Sequence, residues 1–92
     1  MLNPTFSRRL LLLHAIEHHE KASVPELMKS LGWPRRTLQD IIKALPGLGV
    51  DLEFVEDGVR HNDGHYRVTN WGPIDKQWVA EHKASLEAAV QG

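Results

Sequence analysis

With 92 residues, 41% of them apolar, the chain can close one modest hydrophobic core and is too apolar for disorder. The absence of cysteine excludes disulfide staples and thiolate metal sites and suits a reducing, cytoplasmic setting. A net charge of −1 excludes a generic polyanion binder, yet the charge is uneven: residues 1–49 hold seven Lys/Arg against four Asp/Glu, and residues 50–92 hold four against eight.

Asn3-Pro4 opens the first helix, with Asn3 as N-cap and Pro4 where a missing N–H costs nothing. Phe6, Leu10 and Leu13 share one face, widened by Leu12 and Ile16, whereas Leu11 lies on the flank of His14 and His18. Arg8-Arg9 before four leucines invites comparison with a secretory signal. The apolar run stops at His14, no small-residue cleavage site follows, and a membrane span needs roughly 20 residues. A core helix is the expectation.

Ser23-Val24-Pro25-Glu26 is a capping box, in which the serine hydroxyl and the glutamate carboxylate satisfy orphan N–H groups. Val24, Leu27, Met28 and Leu31 then form a core face at i, i+3, i+4, i+7, and Gly32 supplies a left-handed C-terminal cap. A third helix starts almost at once at Pro34. Leu38, Ile41, Ile42 and Leu45 repeat the spacing, and Pro46-Gly47 with Gly49 ends it. Two short helices joined around a glycine make the helix-turn-helix layout.

The period then changes to two. Val50, Leu52 and Phe54 alternate with Asp51 and Glu53 as a strand with one buried face, and Tyr66 and Val68 alternate with Arg67 and Thr69 on the way back. Asp57-Gly58 and Asn62-Asp63-Gly64 are turn chemistry between them. Gly72-Pro73 opens a last helix, striped by Ile74, Trp78, His82, Leu86 and Val90. The expected division is a single unit over residues 1–92, with core and hairpin in 1–71 and the final helix in 72–92.

The stretch Val24-Pro25-Glu26-Leu27-Met28-Lys29-Ser30-Leu31-Gly32-Trp33-Pro34-Arg35-Arg36-Thr37-Leu38-Gln39-Asp40-Ile41-Ile42-Lys43-Ala44-Leu45 resembles the helix-turn-helix of bacterial winged-helix transcriptional regulators. The hairpin from Val50 to Asn70 falls where that family places its wing, so the resemblance covers roughly residues 5–71. It implies an α+β winged helix: a three-helix core, a β-hairpin wing and an additional C-terminal helix. The chain departs from the pattern at Pro34, where the family usually has a serine or threonine cap, and at the outward Asp40.

The resemblance implies a duplex-DNA-binding regulator of transcription, with residues 34–45 in the major groove and 56–65 near the backbone. If Leu38, Ile41, Ile42 and Leu45 face the core, about 100° per residue turns Arg36, Asp40 and Lys43 outward. Arg36 then suits guanine and Gln39 adenine. Arg35, Thr37 and Lys43 suit phosphates, and Arg60 is the expected wing contact. Asp40 accepts from cytosine, orients Arg36 or repels phosphate.

The last helix carries more apolar surface than the core needs. With Leu11 exposed beside it, a homodimer through Leu11, Trp78, His82, Leu86 and Val90 is expected, placing two recognition helices roughly 34 Å apart. The bland alternative is a helix folded back on its own chain. His14 and His18 have the i, i+4 spacing of a shared zinc ion, but no third ligand is placed by sequence, so neither metal nor cofactor is expected. No nucleophile setting, paired carboxylates or glycine-rich phosphate loop points to an enzyme. The rival reading is a winged-helix protein-interaction module that does not bind DNA, favoured by the acidic first strand.

Overall fold

The computed structural model describes residues 2–56, 58 and 64–91. Helix α1 spans Pro4–His18, α2 Val24–Leu31 and α3 Arg35–Ala44, followed by one 3₁₀ turn at Leu45–Leu48. Strands β1 (Asp51–Glu56) and β2 (Gly64–Asn70) form an antiparallel hairpin, and α4 (Lys76–Glu81) and α5 (Lys83–Gln91) complete the order.

The caps act as their residue types dictate. Asn3 Oδ1 accepts from the Phe6 N–H at 2.9 Å, and Ser23 Oγ accepts from the Glu26 N–H at 3.3 Å. The reciprocal half of the expected box does not form, because the Ser23 N–H donates to the Lys21 carbonyl at 2.9 Å instead of to Glu26. Gly32, at φ +73°, turns the chain out of α2. Pro34 is the N-cap of α3 and gives no side-chain capping bond, so the first N–H groups of that helix lack the usual hydroxyl partner.

Everything is organised around α1. Leu10, Leu11, Leu12, Leu13 and Ile16 are all buried, which covers the helix on nearly every side. α2 and α3 pack on part of this surface, the hairpin on another, and α5 lies along α1. Leu27, Leu38, Leu45, Val50, Val79 and Leu86 fill the spaces between these elements. The hairpin is tied to the body by an isolated bridge, in which the Tyr66 N–H donates to the Ala22 carbonyl at 2.9 Å.

Three expectations are corrected. Leu11 is not exposed: only 4% of it is accessible, because α5 of the same chain lies along α1. Leu86 is likewise fully buried within the chain, so neither leucine is available to a second copy. The last helix is not continuous. It starts later, at Lys76, where Asp75 caps it by accepting from Gln77 and Trp78, and it breaks at His82. There the His82 N–H is shared between the Trp78 and Val79 carbonyls, a local tightening of the helix, before Leu86 resumes α-helical bonding to the His82 carbonyl. The break places Val79 and Leu86 inward and leaves Trp78 at the surface.

The first strand is also less buried than its alternation suggests. Val50 is fully buried and Leu52 half-buried, but Phe54 is 43% exposed because the hairpin extends beyond the helices. Phe54 instead packs edge-on against Tyr66, its register partner, at 5.0 Å between ring centroids.

Two glycines test the account of the backbone. A Cβ at Gly72 (φ +59°) would run into the Gly49 carbonyl, whereas one at Gly32 (φ +73°) meets nothing within 4 Å. Gly32→Ala should therefore cost about 1 kcal/mol, from φ alone. Gly72→Ala should cost about 3 kcal/mol or more, because backbone must move. Denaturant unfolding of the two variants measures the difference, and equal costs would contradict the close approach of residues 49 and 72.

Candidate nucleic-acid interface

The inner face of α3 is fixed by Leu38 and Ile41, both buried, with Ile42 half-buried and Leu45 just beyond the helix fully buried. Helical geometry then decides the outer face. Arg35, Arg36, Gln39, Asp40 and Lys43 are all exposed, and Thr37 is half-buried at the margin. Six of the seven residues expected to meet DNA thus share one helix. Arg60, the seventh, lies with the rest of the wing tip outside the described residues.

The sequence spacing suggests an Arg36–Asp40 ion pair, but none forms. Among the described residues, the ion pairs are Arg67 with Glu53 at 2.9 Å and Lys76 with Glu17 at 3.5 Å. Arg35, Arg36 and Lys43 therefore form no ion pair with a described residue. On the hairpin the acidic character of β1 is reduced where Arg67 covers Glu53, its register partner.

One cation belongs with this surface and is not singled out by sequence. Arg8 of α1 lines a shallow cleft with Thr5, Trp33, Pro34, Thr37 and Asp40. The available signal was the spacing of Thr5 and Arg8 on one α1 face, together with a basic pair, but which helix lies opposite is a long-range fact. Arg8 adds a positive group on the side of α3 that Asp40 makes negative.

The residues of the expected dimer surface do not form one exposed patch: Leu11 and Val90 meet in a cleft within the chain, and Trp78 pairs with His82. Leu11 and Leu86 are core, Val90 is half-buried in clefts between helices, and Trp78 and His82 remain at the surface, stacked at 4.1 Å. The His14 and His18 rings are also stacked, at 4.0 Å, rather than splayed around a shared point. Among the described residues no group of three or more His, Asp or Glu side chains is arranged to hold a metal ion. No helix among them is long and apolar enough to cross a membrane.

Burial, and then the neighbouring His18 and Lys83, hold His14 below the ordinary imidazole pKa of 6.5, with Glu87 pulling the other way.

Over residues 1–90 the chain matches the winged helix-turn-helix family, and it belongs to that family. It is similar to a solved crystal structure, a DUF2131 family protein from Shewanella amazonensis SB2B. The two are 39% identical with a TM-score of 0.86, over 96% of this chain and 84% of that one. No curated protein matches the chain.

The depressed His14 pKa has a consequence for stability. Below pH 6.5, the unfolded chain binds more protons at this residue than the folded one. The contribution is complete above that value and is lost as pH falls through the lower, folded value. Melting temperature should fall between neutral pH and about pH 5.5, and His14→Gln should flatten that fall. An unchanged pH profile in the variant would show that His14 does not titrate as described.

Proposed function

We propose that this winged helix-turn-helix protein binds duplex DNA sequence-specifically and regulates transcription, with α3 lying in the major groove. The observation that carries the reading is the outer face of α3: three cations without ion-pair partners among the described residues, on a helix whose inner face is locked into the core. A helix held rigidly by Leu38, Ile41 and Leu45 keeps its outward side chains in fixed register, which base readout requires.

The roles follow from donor and acceptor chemistry. Arg36, exposed in the first turn of α3, offers the planar fork that matches guanine O6 and N7. Gln39 offers the amide pair that matches adenine. Arg35, Thr37 and Lys43 flank them and take phosphates, which position the protein without reading sequence. Asp40 opposes phosphate and disfavours nonspecific binding, a discrimination achieved through repulsion. Arg8 supplies a further phosphate contact from α1. With Leu11 and Leu86 spent on the chain's own core, α3 of one copy carries this reading without a second copy.

Fluorescence anisotropy on duplexes selected from a random pool tests it. Affinity should fall steeply as salt rises, and Lys43→Ala should weaken all sequences alike while reducing the salt slope by about one. Arg36→Ala should cost about 1–3 kcal/mol and relax preference at one base pair. Asp40→Asn should strengthen nonspecific binding. Absence of duplex binding at low salt, or indifference to both Arg36→Ala and Lys43→Ala, would overturn the proposal.

A further inference from the structure

The turn between α2 and α3 borders a second concavity, separate from the outward face of α3. Residues of α1, the end of α2 and α5 line a cleft of about 380 Å³, a volume within the range of small-ligand sites. Part of its lining is apolar, from Leu11, Leu31, Trp33 and Val90. The rest is dominated by nitrogen: His14 and His18 from α1, His19 at its C-cap, and Lys83 from α5, against Glu87.

The histidines are held in place by the backbone. His18 Nδ1 donates to the His14 carbonyl at 2.9 Å, and His19 Nδ1 donates to the Ala15 carbonyl at 2.8 Å. Because a carbonyl only accepts, Nδ1 carries the proton in each ring, and Nε2 accepts in the neutral ring and donates to an anion once the ring is protonated. The stacked His14–His18 pair also borders Glu17 and Lys76 on its other side. Those two pair with each other at 3.5 Å, so their charges offset. From α2, Ser30 and Leu31 add no titratable group to the lining. The balance of charge facing the cleft is therefore Lys83 and three imidazoles against the single carboxylate of Glu87.

We infer that this cleft binds a small organic anion, a monocarboxylate on a flat apolar body, with the body against Trp33 and Leu31 and the carboxylate toward Lys83 and the His14–His18 pair. A flat body matches the indole face. The carboxylate meets the Lys83 ammonium and one ring of the histidine pair that takes up a proton on binding, which against Glu87 leaves a single excess positive charge for it. A bound anion favours the protonated form of that ring, so binding takes up a proton and tightens as pH falls.

The position of the cleft gives binding a consequence. Trp33 is a shared wall: it also lines the shallow cleft beside Arg8, Thr37 and Asp40. A ligand packed on its indole bears on the turn that sets the direction of α3. This regulatory consequence rests on the DNA-binding reading, whereas occupancy of the cleft does not.

The test uses the full chain, ¹⁵N-labelled and free of DNA, titrated with 2-naphthoate and, as a neutral control, 2-naphthalenemethanol. Naphthoate should shift the Trp33 indole N–H and the His14 and His18 ring signals saturably, with a midpoint below about 1 mM. The midpoint should drop at least about threefold from about pH 7.5 to about pH 6. Lys83→Gln should weaken binding about tenfold, and the alcohol should bind weaker by a similar factor. Lys29→Gln, an exposed α2 change outside the cleft, should leave the titration unaltered. No saturation in the millimolar range, equal binding of acid and alcohol, or an unaffected Lys83→Gln variant would overturn the inference. Because DNA is absent, such a result is distinct from failure of the DNA-binding reading.

Discussion

A helix that is apolar around most of its circumference must be covered around most of its circumference. Leu10, Leu11, Leu12 and Leu13 occupy four successive positions, spread over the whole turn of α1, and all four are buried. Two helices and a hairpin cover only part of such a surface. α5 covers another part by lying along α1. Burying these side chains stabilises the fold by roughly 1.5–3 kcal/mol each, so leaving one flank of α1 bare is costly. The demand of α1 for neighbours is why the chain folds back on itself.

That constraint reaches the functional surface by two routes. α3 is pressed onto the core through Leu38, Ile41 and Leu45, which leaves its charged side nowhere to go but outward. Meanwhile α5, docked along α1, leaves an uneven seam against the end of α2, and the histidine-lined cleft occupies that seam. One packing requirement thus produces both the outward polar face of α3 and the cleft lined by His14, His18 and Lys83, with Trp33 between them.

Most of the fold is legible in the sequence because it is locally encoded. Asn3, the Ser23 cap and Gly32 act through hydrogen bonds and φ angles within four residues, and they mark helix ends correctly. The 3.6-residue and two-residue periods locate α1, α2, α3 and the hairpin. The start of the last helix at Lys76 was a local miss, since Asp75 is itself an N-cap signal. The other misses are long-range. Whether Leu11 faces solvent, a second copy or α5 depends on an element more than seventy residues away in sequence. The break at His82 leaves no local mark either: the stripe Trp78, His82, Leu86, Val90 keeps helical spacing straight through it, and no proline or glycine stands there. For the interface, α3 was legible because one face of a helix follows from the other. The contribution of Arg8 was not, since only the tertiary fold brings α1 beside Thr37 and Asp40.

The absence of cysteine allows the central claim, that the outer face of α3 meets the groove, to be tested by position alone. A single cysteine introduced by Asp40→Cys on α3, or by Ala88→Cys on the exposed side of α5, can carry an iron chelate that cleaves nearby DNA. The account predicts focused cleavage of a bound duplex from position 40 and background cleavage from position 88. Cleavage from position 88 with none from position 40 would contradict it.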